Sequence, residues 1–248
     1  MVWGMALPEN FGEFWPSGSF EMDDKTRDSG WHQRLMAYFE EHASDEQKAL
    51  FDDGHGNARH WYAGYATGKF IEETSGESMP PFTPVEPHEP PRSFDTAKGH
   101  KTLGSLIMLN SKMLAVDEAL KTIIERLEPS VHQFFPLEIR MPRGKIYPAN
   151  YYLLVMPYLD AWSRDDTKIG SVHERVRSID THLPPIIELD KTKVGMTGLA
   201  MRKVVFGDAH LWRERQFTKN LICFSDALQA EIERANLRLP KYYKLKEV

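Results

Sequence analysis

Six prolines within thirteen residues constrain the fold of this chain more than any other feature of its sequence. The stretch runs from Met79 to Pro91. Proline donates no main-chain hydrogen bond and fits neither a helix interior nor a central strand. We therefore expect a proline-rich connector over residues 79–100. It separates an acidic, aromatic-rich and largely helical region, residues 1–78, from a more strongly periodic domain, residues 101–248.

Helical spacing dominates the region before the connector. Trp31, Leu35 and Phe39 recur four residues apart, which predicts a helix that Asp28 or Ser29 can cap. The apolar stripe of such a helix faces the core of the protein.

A second, short helix is predicted from Ser44 to about Phe51, because Gln47 completes a capping box with Ser44. Residues 52–57 are rich in Asp and Gly and indicate a loop. Residues 60–65 fit either a strand or a buried turn.

The part after the connector combines one long apolar stripe with several strand-like segments. The stripe, from Met113 to Leu127, predicts a helix that Asn110 or Ser111 caps and Pro129 ends. The strand-like segments are residues 131–141, 151–158, 185–189, 201–206 and 221–224.

Two local signals indicate how these segments are connected. Pro-Arg-Gly-Lys at residues 142–145 can turn the first strand back onto the second, and Ser225 can cap a last helix. A basic, aromatic, strand-like tail follows that helix. Strands grouped between helices, without regular alternation, predict an α+β fold with a mostly antiparallel sheet flanked by helices.

Charge is distributed unevenly along the chain. Residues 1–100 have a net charge of −10 and residues 101–248 a net charge of +5, which sum to −5. An acidic part can meet a basic partner, dock on the basic part of its own chain, or simply be solvated. No dense basic cluster is present, which argues against nucleic-acid binding.

Composition excludes several classes of protein. No apolar run reaches the roughly 18 residues of a membrane span, and the N-terminus lacks the pattern of a secretory signal. The single cysteine, Cys223, can form neither an internal disulfide nor a cysteine-type zinc site. We therefore expect a cytoplasmic protein that does not bind membranes.

No combination of residues defines a catalytic, cofactor or metal site. Asp52, Asp53, His55 and His60 are close in sequence, but their spacing matches no zinc pattern. Adjacent carboxylates such as those of residues 72–73 point to different faces of a helix or strand, and solvated charge explains them better. We predict no catalytic residue, no cofactor and no metal.

The best candidate for partner contact is the segment after the second predicted strand. Its proposed contact residues are Asp160, Trp162, Arg164, Asp165 and Asp166, which place an aromatic side chain among charges on a loop. The competing interpretation is that Trp162 folds into the core and Asp160 caps a turn.

Six segments of the C-terminal part carry a resemblance to a protein family. They are 131–139 (VHQFFPLEI), 151–155 (YYLLV), 159–163 (LDAWS), 187–190 (IELD), 210–213 (HLWR) and 222–228 (ICFSDAL). Over roughly residues 105–245, their order and spacing resemble a family of bacterial immunity proteins, which are encoded beside polymorphic or contact-dependent toxins. Residues 236–240 stand where that family often has a glycine-containing turn. The resemblance implies a protein that binds and neutralises a cognate toxin.

These observations predict an immunity protein that acts by stoichiometric protein–protein contact and is not an enzyme. Two alternatives stay open. A metal-dependent hydrolase would use the loop with His55 and His60, and would show bound metal. A structural component of a secretion system would form a stable homo-oligomer without a toxin.

Overall fold

Helices dominate residues 30–68, and strands are the more frequent element from residue 93 onwards. The computed structural model describes residues 1–22, 30–52, 54, 56–70, 85–175, 186–217 and 221–248. The α-helices are α1 (Gly30–His42), α2 (Asp45–Phe51), α3 (Ala58–Gly68), α4 (Glu118–Leu127), α5 (Lys193–Thr197), α6 (Lys203–Phe206) and α7 (Asp226–Arg234). The strands are β1 (Val2–Ala6), β2 (Gly18–Phe20), β3 (Ser93–Thr96), β4 (Leu106–Met108), β5 (Leu114–Asp117), β6 (Gln133–Met141), β7 (Lys145–Ile146), β8 (Tyr151–Val155), β9 (Tyr158–Leu159), β10 (Trp162–Ser163), β11 (Val172–Arg175), β12 (Ile186–Leu189), β13 (Ala200–Met201), β14 (Leu211–Glu214), β15 (Leu221–Ser225), β16 (Tyr242–Lys244) and β17 (Lys246–Glu247).

The N-terminal helices follow the local signals of the sequence in two of three cases. Helix α1 buries Trp31, Leu35 and Phe39, as their spacing predicts. The capping box of Ser44 and Gln47 begins α2, also as predicted. The candidate caps at residues 28–29 lie outside the described residues.

Residues 60–65 form part of helix α3, so the expected strand or turn is wrong there. The small side chains of Ala63 and Ala66 are fully buried, and this side of α3 joins the core that contains Trp31 and Leu35. Helix α3 therefore contacts the core through one face only. Its short, alanine-based stripe lacks the large residues that make a helical pattern easy to recognise.

The described end of the connector is held against the protein by polar contacts. Trp31 Nε1 donates to the main-chain oxygen of Glu89 over 2.7 Å, and Arg34 donates to the main-chain oxygens of His88 and Pro90. Residues 79–84 lie outside the described residues. The division of the chain into three units stays a prediction.

The larger sheet has the strand order β2-β3-β6-β8-β5-β4, with β7 pairing with β6. The predicted turn at residues 142–144 returns β6 onto β7 and then β8, and both pairings are antiparallel. Side chains alternate across the sheet, as the two-residue period of a strand requires. On β5, Ala115 faces the core under α1 and α3, whereas Leu114 and Val116 face the core under α4 and α7.

A second sheet has the order β16-β1-β15-β14-β9. The first strand of the chain, β1, therefore lies between two strands from its end. Ile222 and Phe224 on β15 pack toward the larger sheet, and Leu221 and Cys223 pack toward β10, β13, α5 and α6. Both faces of β15 are buried, which explains its continuous apolar run.

The fold is α+β, as predicted, and its sheets are mixed. Most strand pairs are antiparallel, but β3 is parallel to β6, β9 to β14, and β13 to β17. No helix in the described parts of the chain is both long enough and apolar enough to cross a bilayer.

The long helix predicted from about Ser111 to Leu127 is wrong in its first half. Residues Leu114–Asp117 form strand β5, and the helix begins only at Glu118, where the Asp117 carboxylate accepts the Leu120 N–H over 2.9 Å. Ser111 and Lys112 have left-handed φ values of 55° and 57°, so this part of the chain is a turn before β5 and not the start of an α-helix. Strand β5 is buried and directly precedes the amphipathic helix α4. Its apolar residues therefore continue the helical spacing of α4 in the sequence, although they are not part of the helix.

A second correction concerns residues 201–206, which the sequence predicts as one strand. Strand β13 ends at Met201 and Lys203–Phe206 form α6. By contrast, Ser225 caps α7 as predicted, accepting the Leu228 N–H over 3.1 Å. Asn236 follows α7 with a left-handed φ of 51°, so it takes the position where a glycine commonly stands.

Candidate partner-binding surfaces

Strand β10, which follows β9 after a short loop, places Trp162 inside the protein. The Trp162 side chain is 3% exposed and packs edge-on against Phe217, with the ring centroids 5.0 Å apart. Its indole N–H donates to the Thr167 hydroxyl over 2.8 Å. Trp162 is therefore a core residue, as the competing interpretation of this segment expects, and its side chain is covered in this structure.

The four charged residues of the same segment are exposed and flank strand β10: Asp160 lies before it, and Arg164, Asp165 and Asp166 form the turn after it. Asp160 approaches Arg215 with 3.6 Å between Oδ1 and Nε, and Arg164 forms an ion pair with Glu174. Asp166 accepts the Ser163 hydroxyl over 2.7 Å. All four charged side chains are thus on the surface, on either side of β10 along the chain, whereas the Trp162 side chain is buried.

A buried glutamate holds the main chain at the start of β10 in place. Glu214 is fully buried, and its Oε2 accepts the N–H groups of Ala161 over 2.8 Å and Trp162 over 3.0 Å. Burial raises the pKa of Glu214 to about 8, because removing a carboxylate from water disfavours its charged form. Glu214 is not predicted from the sequence, because it follows Arg213 in strand β14 and no local pattern distinguishes it from a surface carboxylate.

A larger apolar surface lies on the helices before the connector, where the sequence analysis proposed no contact. Leu50 is 80% exposed, Trp61 57% and Tyr65 54%. With Phe51 and Gly64 they line one depression of about 540 Å³ between α2 and α3. We name these five residues the aromatic face.

The aromatic face follows from the geometry of α3. Residues four apart on a helix are neighbours, so Trp61 and Tyr65 project from the same side, while Ala63 and Ala66 turn toward the core. Tyr65 rests on the half-buried Phe51, with the ring centroids 5.6 Å apart. Large aromatic side chains that remain half exposed and adjacent are typical of binding surfaces.

A second groove, of about 510 Å³, lies beside the aromatic face and has a polar wall. The Tyr62 hydroxyl bonds to His88 Nε2, and the ring of Tyr38 stacks on His88 with 3.7 Å between the centroids. Lys69 and the buried Glu89 form an ion pair over 2.7 Å. Burial raises the pKa of Tyr62 to about 12 and lowers the pKa of His88, so both groups are neutral near pH 7.

The surroundings of the aromatic face are acidic. Residues 40–65 contain six Asp and Glu residues and two Lys and Arg residues. Asp45, Glu46 and Asp52 are exposed, and one of the two cations, Arg59, is paired with Glu40. The apolar depression is therefore bordered by negative charge.

A serine, a histidine and a glutamate meet at the start of α7 without forming a catalytic triad. His210 Nδ1 lies 2.6 Å from the Ser225 hydroxyl, but Glu128 accepts the main-chain N–H of His210 over 2.7 Å and does not bind its ring. The second Glu128 oxygen lies 2.7 Å from His132 Nε2. In a triad the carboxylate binds the other ring nitrogen of the histidine. The arrangement ties α4 to the capped start of α7.

The remaining candidates for catalysis or metal binding are Cys223 and the Asp and His residues of the segment 52–60. Cys223 is fully buried, and burial raises the pKa of its thiol, so it is not a reactive thiolate. His60 is exposed on α3, whereas Asp53 and His55 lie outside the described residues. Within the described ranges, no three His, Cys, Asp or Glu side chains cluster as metal ligands would.

Comparison with known proteins extends the resemblance beyond the C-terminal part. A model of the Immunity protein family (Imm11) matches residues 22–247, and so includes the helices that carry the aromatic face. No curated protein matches the chain.

Proposed function

The chain belongs to the Immunity protein family (Imm11), and we propose that it neutralises a cognate bacterial toxin by stoichiometric protein–protein contact. The observation that carries this proposal is the extent of the family match, residues 22–247, which covers nearly the whole chain. Immunity proteins of this kind have a protein toxin as their partner. The reaction that the toxin catalyses does not enter the proposal.

Two kinds of surface support a binding role. The aromatic face offers large apolar side chains that lose little conformational freedom on binding, because they project from helices. The exposed charges of Asp160, Arg164, Asp165 and Asp166 flank strand β10, and Glu214 holds the main chain at Ala161 and Trp162 between them. We propose that these four residues contribute to partner contact as well, mainly by orienting the encounter.

We further propose that the protein works in the cytoplasm of a cell that carries a polymorphic or contact-dependent toxin. There it would protect the cell during competition between bacteria. The neighbouring genes provide a direct check, because the proposal expects a large gene with a toxin domain immediately upstream.

The decisive experiment is a titration against the toxin domain encoded by that upstream gene. A stoichiometric inhibitor removes toxicity in full only when its amount equals or exceeds that of the toxin, and it forms a stable 1:1 complex. Protection by a small fraction of an equivalent would indicate catalysis. Stoichiometric metal in the purified protein would then favour the hydrolase with His55 and His60.

A matched pair of charge reversals tests the proposed turn. Asp165→Lys alters an exposed charge of the turn, and Glu233→Lys makes the same change on the exposed side of α7. We expect slower association with the toxin domain for Asp165→Lys alone. A stable homo-oligomer that neither binds the toxin domain nor protects against it would instead favour a structural component of a secretion system.

A further inference from the structure

We propose that the aromatic face is the docking surface for the toxin, and that the toxin fills it with an apolar protrusion surrounded by Lys and Arg side chains. This inference rests on the proposed function, since it names the surface by which toxin binding occurs. It assigns the contact to α2 and α3, which lie before the connector.

The exposed apolar side chains of the aromatic face are contiguous. Single exposed apolar residues are common on protein surfaces and need no explanation. Leu50, Trp61 and Tyr65 are different, because they border the same depression and are each more than half exposed. Tryptophan and tyrosine are also the residues that most often contribute large binding free energies when a partner desolvates them.

The supporting structure makes the face pre-organised. Phe51 lies beneath Tyr65 and packs against Phe39 of α1, with 5.8 Å between the ring centroids. Ser44 and Gln47 fix the start of α2 through their reciprocal hydrogen bonds. A partner would therefore meet a Tyr65–Phe51 pair and a helix α2 that are already held in place, which lowers the entropic cost of binding.

Charge identifies the kind of partner. The depression is bordered by Asp52, and exposed Asp45 and Glu46 lie on the same helix as Leu50. A basic rim on the toxin would complement these carboxylates, and would increase the association rate more than the lifetime of the complex. An acidic partner would be repelled.

The glycine in the middle of the face offers a test that does not disturb the fold. A Cβ atom added at Gly64 has no other atom within 4 Å, so a side chain there would project into the open depression. Replacing a glycine inside an exposed helix also favours the helix. Gly64→Gln should thus block the depression while the protein stays folded.

The experiment compares four proteins in titrations against the toxin domain of the upstream gene, used as an inactive variant. They are the wild type, Trp61→Ala, Gly64→Gln and the control Ile169→Ala, whose side chain is 99% exposed on a distant loop. We expect Trp61→Ala and Gly64→Gln to weaken binding by at least about 30-fold. Ile169→Ala should bind as the wild type does, and circular dichroism should show all four proteins folded.

Each contrary result has its own meaning. If the wild type binds the toxin domain and both Trp61→Ala and Gly64→Gln bind it equally well, the docking surface is wrong but toxin binding stands. If these two variants bind normally and the Asp165→Lys variant of the preceding subsection binds weakly, the turn after β10 is the contact surface and the aromatic face is not. If Trp61→Ala converts a wild-type dimer into a monomer, the occupant is a second copy of this chain, which also overturns the inference. If the wild type neither binds nor protects, the proposed function fails together with the docking surface.

Discussion

Replacing Glu214 by glutamine tests how the main chain at the start of β10 is held. The carboxyl group is fully buried and accepts the N–H groups of Ala161 and Trp162. A glutamine side chain has nearly the same shape and can accept both hydrogen bonds, but it cannot ionise. The substitution therefore removes the titration of this group and keeps its hydrogen bonds to Ala161 and Trp162, while the longer one from the Gln216 N–H to Oε1, over 3.5 Å, is lost where the amide nitrogen takes that position.

The expected magnitude follows from the raised pKa of Glu214. Its ordinary value is 4.5 and burial raises it to about 8. Between these two pH values the folded protein retains a proton that the unfolded chain has lost, so the free energy of unfolding falls as pH rises. The slope is about 1.4 kcal/mol per pH unit, and over this window the loss sums to at most about 5 kcal/mol. Below pH 4.5 the contribution is fully present.

Urea unfolding followed by tryptophan fluorescence, at intervals from about pH 5 to about pH 8, measures this loss. Near pH 5 wild type and Glu214→Gln should differ by no more than about 1 kcal/mol, because both make the hydrogen bonds to Ala161 and Trp162. At higher pH the variant should become the more stable of the two. Glu233→Gln, at an exposed carboxyl, is the control and should follow the wild type. Wild-type and Glu214→Gln curves that stay parallel over the whole range would refute the reasoning.

Three further predictions concern stability and rates. Trp162→Ala should lower the free energy of unfolding by about 3–5 kcal/mol in urea melts, because the side chain is 3% exposed; a loss near zero would mean that it is not core. Asn236→Gly should preserve or slightly raise the melting temperature, because Asn236 has a φ of 51°, whereas Asn236→Ala should lower it. The association rate with the toxin domain, measured by stopped flow, should fall as salt rises from ~0.01 M to ~0.1 M, since the Debye length shrinks from ~30 Å to ~10 Å. Glu46→Lys should reduce both that rate and its salt dependence, because Glu46 is an exposed carboxylate on the same helix as Leu50; rates that do not change with salt would contradict charge complementarity at the docking surface.

Elements with a strong local signal were predicted correctly from the sequence. The capping box at Ser44 and Gln47, the turn at residues 142–144 and the cap at Ser225 each act within a few residues. Such interactions depend on spacing along the chain, and they form in much the same way whatever packs around them.

Elements whose identity depends on distant partners were predicted poorly. Strand β5 continues the apolar stripe of α4, and only its pairing with β4 and β8 makes it a strand. Strand β1 was not predicted at all, because its position between β15 and β16 is defined by residues more than two hundred positions away. Tertiary pairing overrides local preference in both cases.

The candidate sites also combine features that the local sequence predicts with features that depend on distant residues. The sequence indicates exposed charges at residues 160–166 but does not decide whether Trp162 points outward, and the structure buries it against Phe217. The aromatic face escaped notice because residues 60–65 were not recognised as a helix. Once α3 is a helix, the spacing of Trp61 and Tyr65 places them on one side and Ala63 on the other.

The sequence by itself determined the α+β class, the local caps and turns, and the resemblance to immunity proteins, because each rests on residue types at fixed spacings. The tertiary structure alone decided which aromatic side chains are buried and which remain on the surface. Burial depends on what lies opposite a side chain across a sheet or between helices, and that neighbour usually comes from a remote part of the chain. Trp162 meets Phe217 and is covered, whereas Trp61 remains more than half exposed to solvent.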